Sequence, residues 1–149
     1  MKKSKYFRIE ELVPPAVFRA EGDGAWERLQ DDLIDALDGV HDFLHEKLGT
    51  VVMTVNNWVW GGQYNESGYR VPETKTGAPG SMHKAGGAVD LKIKDHPAAD
   101  IHKLIIDNQD DPRLQKISRM EASSATTTWC HLDVKALPMG KRRIHVFIP

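Results

Sequence analysis

The chain has 149 residues, with 20 Lys and Arg against 21 Asp and Glu and a formal net charge of −1. A length of this order suits one domain, residues 1–149, able to bury about two-thirds of its unfolded surface without staples. The near-neutral balance gives no electrostatic reason to expect a nucleic-acid or anionic-membrane partner. A single cysteine, Cys130, excludes an internal disulfide, and neither an apolar signal region nor a spanning segment is visible, so the expectation is a monomer made in the cytoplasm without a signal peptide.

In chain order, the basic run Met1–Lys5 reads as a solvated end, and the clearest helical period covers residues 22–49. Trp26, Leu29, Leu33, Ile34, Leu37, Val40, Leu44 and Leu48 fall on one broad face there, and Gly49 closes the helix. VVMTVNN at 51–57 is β-branched and predicts a strand. Residues 58–82 are rich in Gly, Pro, Asn, Ser and Thr, a long connection of the kind that lines a functional cleft. AVDLKIK at 88–94 alternates as a second strand. DHPAADIHKLIIDNQ predicts a helix with Asp95 as cap and Pro97 in the first turn, ending near Asn108. ISRMEA at 117–122 and WCHLDV at 129–134 predict paired strands, a second basic run, Lys141–Arg143, reads as solvated, and RIHVFIP is a closing strand. The fold class expected is α+β, a small, mainly antiparallel sheet with flanking helices.

Strand parity brings chemistry to one side of that sheet. Val89, Leu91 and Ile93 share a face, so Asp90 points the other way; likewise Cys130, Leu132 and Val134 separate from Trp129, His131 and Asp133. In SMHKAGGAVDL, His83 precedes a Gly-Gly pair that lets the chain turn back to Asp90. Two imidazoles and a carboxylate, His83, Asp90 and His131, would make an open three-ligand zinc set, whereas structural sites usually close with four ligands. Hydrogen-bonding roles at a turn and beside the sheet are the competing reading. HDFLH at 41–45 places His41 and His45 one helical turn apart but has Asp42 where the glutamate of His-Glu-x-x-His would stand, so a solvated helix face explains it better. His96, His102 and His145 lack paired ligand spacing, and parity turns Cys130 to the core. Trp58, Trp60 and Trp129 are candidate cleft-wall aromatics or core.

SMHKAGGAVD resembles the Ser-x-His-x-x-Gly-x-Ala-x-Asp signature of the M15 family of zinc D-Ala-D-Ala carboxypeptidases and related peptidoglycan peptidases, matching at Ser81, His83, Gly86, Ala88 and Asp90. SGYR at 67–70 resembles the arginine-bearing loop before that signature and WCHLD its last histidine segment, so the resemblance runs from about Asn56 to Val134. It implies the fold shared by hedgehog domains and D-Ala-D-Ala peptidases, with Zn2+ on His83, Asp90 and His131. Arg70 is implied as a catalytic and substrate-orienting group, its planar fork matched to a carboxylate or a developing oxyanion. Ser81 and Trp129 are further substrate-binding candidates, Ser81 alternatively holding the turn. The implied activity is zinc-dependent hydrolysis of peptidoglycan peptide bonds, as a carboxypeptidase or stem-peptide endopeptidase, in the manner of a phage lytic enzyme acting on cell wall after release. The alternative is a non-catalytic, zinc-stabilised binding or virion structural module on the same scaffold.

One departure from that pattern bears on mechanism. Many members carry the catalytic glutamate three residues before the last histidine, where this chain has Thr128. Parity in ISRMEA puts Ile117, Arg119 and Glu121 on the polar face and Met120 in the core. An odd-length connection to the next strand sets Glu121 opposite Trp129 and beside His131. Glu121 is thus the candidate general base, with Asp133 and Glu66 as the other carboxylates in contention.

Overall fold

The computed structural model describes residues 1–138 and 143–149; most of the basic run at 141–143 lies outside them. Three helices, α1 (Pro15–Glu21), α2 (Asp31–Leu48) and α3 (Ala98–Asp107), accompany five strands: β1 (Met53–Thr54), β2 (Ala88–Ile93), β3 (Arg119–Glu121), β4 (Cys130–Asp133) and β5 (His145–Phe147). They form a mixed sheet in the order β1-β2-β4-β3-β5. β1·β2, β2·β4 and β3·β4 are antiparallel, whereas β5 joins β3 in parallel. One face of this sheet is apolar. Val89, Leu91, Met120, Cys130 and Leu132 merge there with Leu33, Ile34, Leu37, Val40 and Leu44 of α2 and Ile101 and Ile105 of α3 into a continuous core, as alternation on the strands and the helical period require. The opposite face carries the polar side chains that matter below.

The helix expected over 22–49 is interrupted. Gly22–Arg28 is 3-10, Leu29 and Gln30 are extended (ψ 139° and 141°), and α2 begins at Asp31. A tertiary contact competes with the helix at this point. The Gln30 backbone N–H donates to the Gly86 carbonyl at 2.9 Å and the Gln30 side-chain amide to the Ala85 carbonyl at 3.1 Å. Satisfying Gln30 across the fold replaces the intrahelical bond it would otherwise make, and Asp31 and Asp32 then favour the new helix start through the macrodipole. The other end is as expected: Gly49, at φ 79°, closes α2 with its N–H on the His45 carbonyl.

Other boundaries contract for similar reasons. β1 stops at Thr54 because Asn56 is drawn off the sheet: its N–H donates to the Glu11 carbonyl, its side-chain amide donates to the Val13 carbonyl, and its Oδ1 accepts the Ser67 N–H. Pro97, not Asp95, occupies the N-cap of α3; Asp95 instead adopts φ 66° at the bend that ends β2. α3 ends at Asp107 with Asn108 as its C-cap, close to the predicted end. Ile117 lies ahead of β3 and packs into the core, so the polar face of that strand consists of Arg119 and Glu121 alone.

Gly86 explains why a glycine pair stands in SMHKAGGAVDL. Its φ is +73°, and a Cβ there would sit 1.9 Å from the Arg28 carbonyl oxygen, so the backbone of the His83 loop is pressed onto the break before α2. The glycine makes room for that packing. Gly86→Ala is expected to cost about 2 kcal/mol or more of unfolding free energy in urea titrations. Gly24→Ala, where a Cβ meets nothing within 4 Å, should change it by less than about 0.5 kcal/mol.

Candidate metal centre

Register builds the site. Asp90 of β2 faces His131 of β4. Met120 faces Leu132 and Arg119 faces Asp133, so continuing the same ladder sets Glu121 opposite His131; Glu121 in turn faces Phe147 of β5. Asp90, His131, Glu121 and Phe147 therefore form one row across four strands, on the non-core face, at strand spacings of about 4.8 Å. The expected register, Glu121 opposite Trp129, is off by two residues. A two-residue slip preserves parity, so Glu121 still faces the polar side. His83 arrives from the preceding loop, where the Ser81 hydroxyl oxygen accepts the His83 N–H at 3.2 Å and holds the turn.

The ligand atoms converge. His83 Nε2 lies 3.3 Å and His131 Nδ1 lies 3.1 Å from Asp90 Oδ1, and one donor atom from each of the three residues falls within 4.8 Å of the others. Donors around a tetrahedral ion at about 2.1 Å sit roughly 3.4 Å apart, so the cluster is close to the size a metal needs. The outer ring nitrogens fix which atoms face inward. His83 Nδ1 is 2.9 Å from the Gly68 carbonyl, which can only accept, so Nδ1 donates outward and Nε2 is the ring atom turned to the cluster. His131 Nε2 donates to Asp133 Oδ2 at 2.9 Å, leaving Nδ1 to face Asp90. A carbonyl and a carboxylate behind two histidines is the support that orients ligating imidazoles.

Burial makes the charges interdependent. Asp90 is buried, which alone would raise its pKa, but hydrogen bonds with His131 and His83 outweigh this and hold it well below the usual carboxylate range. Its other oxygen accepts Arg70 Nη2 at 3.2 Å. Burial disfavours charge on His131 too, yet Asp133 and Asp90 raise it to about 9, so a divalent ion binding at Nδ1 would have to displace its proton. Asp133 is fully buried; despite that, its bonds to His131 and Arg119 keep it ionised. Arg119 grips it with Nε 3.0 Å from Oδ1 and Nη2 2.7 Å from Oδ2.

The structure sorts the remaining candidates. Arg70, Ser81, Glu121 and Trp129 all line the cleft over His83, Asp90 and His131, a cavity of about 490 Å³. Glu121 Oε1 is 3.8 Å from His131 Nδ1. Asp133 has both oxygens committed behind His131, and Glu66 accepts the Thr74 and Thr76 hydroxyls beside a different cavity, so neither carboxylate is free at the cluster. Thr128 is exposed. Trp58 donates its indole N–H to the Val13 carbonyl and Trp60 is exposed, and neither lines the cleft. His41 stacks on Tyr6 and His45 instead of converging with a third ligand. Cys130 is buried, its thiol donating to the Ala98 carbonyl and pushed up to about 12 by burial. Among the described residues, His83, Asp90 and His131 are the one group of three such side chains able to hold a metal. Sequence reasoning missed the Arg119–Asp133 pair and Phe147. His-x-Asp on a strand signals the first of these, because residues i and i+2 share a face, but Arg119 and Phe147 are set only by pairing. A larger cavity, about 810 Å³, opens around Leu114 and Leu137 and contains none of the cluster.

No protein-family model, no curated protein and no solved structure matches this chain.

The assignment of the centre is tested by metal content. Purified protein equilibrated with zinc or cobalt should hold one ion per chain by elemental analysis. Alanine at His83, Asp90 or His131 should abolish tight binding, while the double change His41→Ala, His45→Ala retains it. Asp133→Asn, which keeps the shape but weakens the support of His131, should loosen binding by about 10–100-fold. Full metal content in the Asp90→Ala protein would dismiss this centre.

Proposed function

We propose that the protein is a zinc-dependent hydrolase of peptide bonds, with bacterial peptidoglycan peptides as substrate. The observation that carries the reading is the row Asp90–His131–Glu121 with His83 beside it: two oriented imidazoles and one carboxylate leave a coordination position open, and a further carboxylate stands one strand away in the same cleft. Two nitrogens and one oxygen with an open position is the donor set of catalytic zinc. A zinc ion held there supplies a Lewis acid that acidifies water and polarises a carbonyl.

The chain's own residues supply the rest. Glu121 is placed to accept the proton of an attacking water and to return it to the leaving amine. Arg70 is fixed by the Glu66 carbonyl at 2.6 Å and by Asp90. Its guanidinium lines the cleft beside Gly77, where it can face a substrate carboxylate or a developing oxyanion. Because Arg70 also touches a ligand, it contributes to orienting Asp90, a role the sequence did not suggest. The substrate class comes from the resemblance of SMHKAGGAVD and WCHLD to the M15 peptidases, and the site chemistry is compatible with it.

Glu121→Gln should lower turnover of purified sacculi by about 10²–10⁴-fold with zinc content unchanged, since the amide keeps the shape but cannot take a proton. Arg70→Lys should retain the metal and lose most activity, because an ammonium cannot reproduce a planar fork. Muropeptide mass spectrometry after digestion identifies the bond. If zinc raises the melting temperature while sacculi stay intact under every condition, the fold serves as a zinc-stabilised binding or structural module instead.

A further inference from the structure

The row that begins at Asp90 ends on Phe147, a residue that no part of the proposed chemistry requires. Its ring centroid lies 5.9 Å from that of His131, with the planes at 85°, and it lines the same cleft as the metal-ligating atoms. The ring is not a loose side chain. The Arg119 guanidinium carbon sits 4.0 Å from its centroid, and Arg119 is itself fixed by its bonds to the fully buried Asp133. A planar cation locked on one side makes a rigid aromatic wall of the other.

The two ends of the row differ chemically. At the Asp90 end stand Arg70 and the glycines Gly77 and Gly80, a cationic end with little side-chain bulk. At the β5 end the wall is Phe147 with Pro149, and Arg119 has its charge engaged by Asp133. Glu121, between His131 and Phe147, repels an anionic group entering there. Lys135 also lines the cleft, and its backbone N–H donates to Asp133 Oδ1 at 3.2 Å.

We propose that Phe147 is a specificity-determining residue: it forms the apolar subsite on the β5 side of the metal centre and selects an uncharged aliphatic side chain next to the group held at that centre. This deepens the hydrolase reading and rests on its metal site, but its test does not need turnover.

The experiment uses the zinc-loaded full chain and a series of hydroxamates that anchor on the metal and differ only in their tails: acetyl, butyryl, hexanoyl and the carboxylate-bearing succinyl. Binding is measured by calorimetry. In the wild type each methylene should tighten binding by about two- to fourfold, and the succinyl compound should bind about tenfold or more weakly than the butyryl one. Phe147→Ala should keep acetohydroxamate affinity and zinc content and lose the gain with tail length, whereas Phe147→Leu should keep most of it. A flat series in the wild type, absence of binding, or an undiminished gain in Phe147→Ala overturns the subsite. If the gain is present and depends on Phe147 while sacculi remain uncut, the subsite stands and the peptidoglycan reading falls.

Discussion

A buried carboxylate cannot stand alone, and the polar face of this sheet is arranged around that constraint. Asp90 has 7 % of its surface exposed. Moving an ionised carboxylate out of water without partners costs several kcal/mol or more. Its partners come from three places in the chain: His131 across the β2·β4 ladder, His83 from the loop before β2, and Arg70 from the long connection. Each is drawn in by the same charge, so the cleft is assembled by Asp90 before any ligand enters. In the metal-free protein the proton on His131 does part of the neutralising. A divalent cation held there would take over this role with a larger charge, which would couple affinity for metal to stability of the fold.

The constraint reaches back to the helices. For His83 to meet Asp90 seven positions later, the intervening chain has to turn tightly, and it does so by lying against the start of α2. Gly86 gives up its side chain to the Arg28 carbonyl, and Gln30 gives up helical hydrogen bonding to the Gly86 and Ala85 carbonyls. The break in the long amphipathic segment and the glycine pair in the His83 loop are thus two halves of one contact. Helix propensity is worth a few tenths of a kcal/mol per residue, too little to hold residues 22–30 helical against two tertiary hydrogen bonds and the packing they allow.

Periodicity made much of this legible. Alternation in AVDLKIK and WCHLDV was enough to separate Asp90 and His131 from the core, because parity is a local property. The buried stripe of α2 was visible for the same reason. What depended on pairing was not. Glu121 was assigned to the correct face with a register wrong by two residues, since the eight-residue connection Ala122–Trp129 does not set its own length of pairing. The parallel docking of β5 on β3 was invisible, because a three-residue strand carries no mark of its direction; Phe147 and the Arg119 stack came with it. Nothing in the sequence removes Glu66 from contention with Glu121, and only the hydroxyls of Thr74 and Thr76 reveal that its carboxylate is already engaged.

The missing glutamate before the last histidine then takes on a different aspect. In a peptidase of the pattern this sequence resembles, a carboxylate three residues before that histidine would come from the chain leading into its own strand, and here the equivalent position, Thr128, is exposed. A row across a sheet offers another source: the residue opposite the histidine on the adjoining strand is one strand spacing away, about 4.8 Å, and projects to the same side. Glu121 occupies that position. Its backbone pairs with Phe147 of β5 and directly follows the Arg119 and Met120 pairs of the β3·β4 ladder, and its side chain lies in the cleft near His131, so it is positioned by regular secondary structure. On the proposed reading, the base is supplied through sheet proximity instead of sequence proximity.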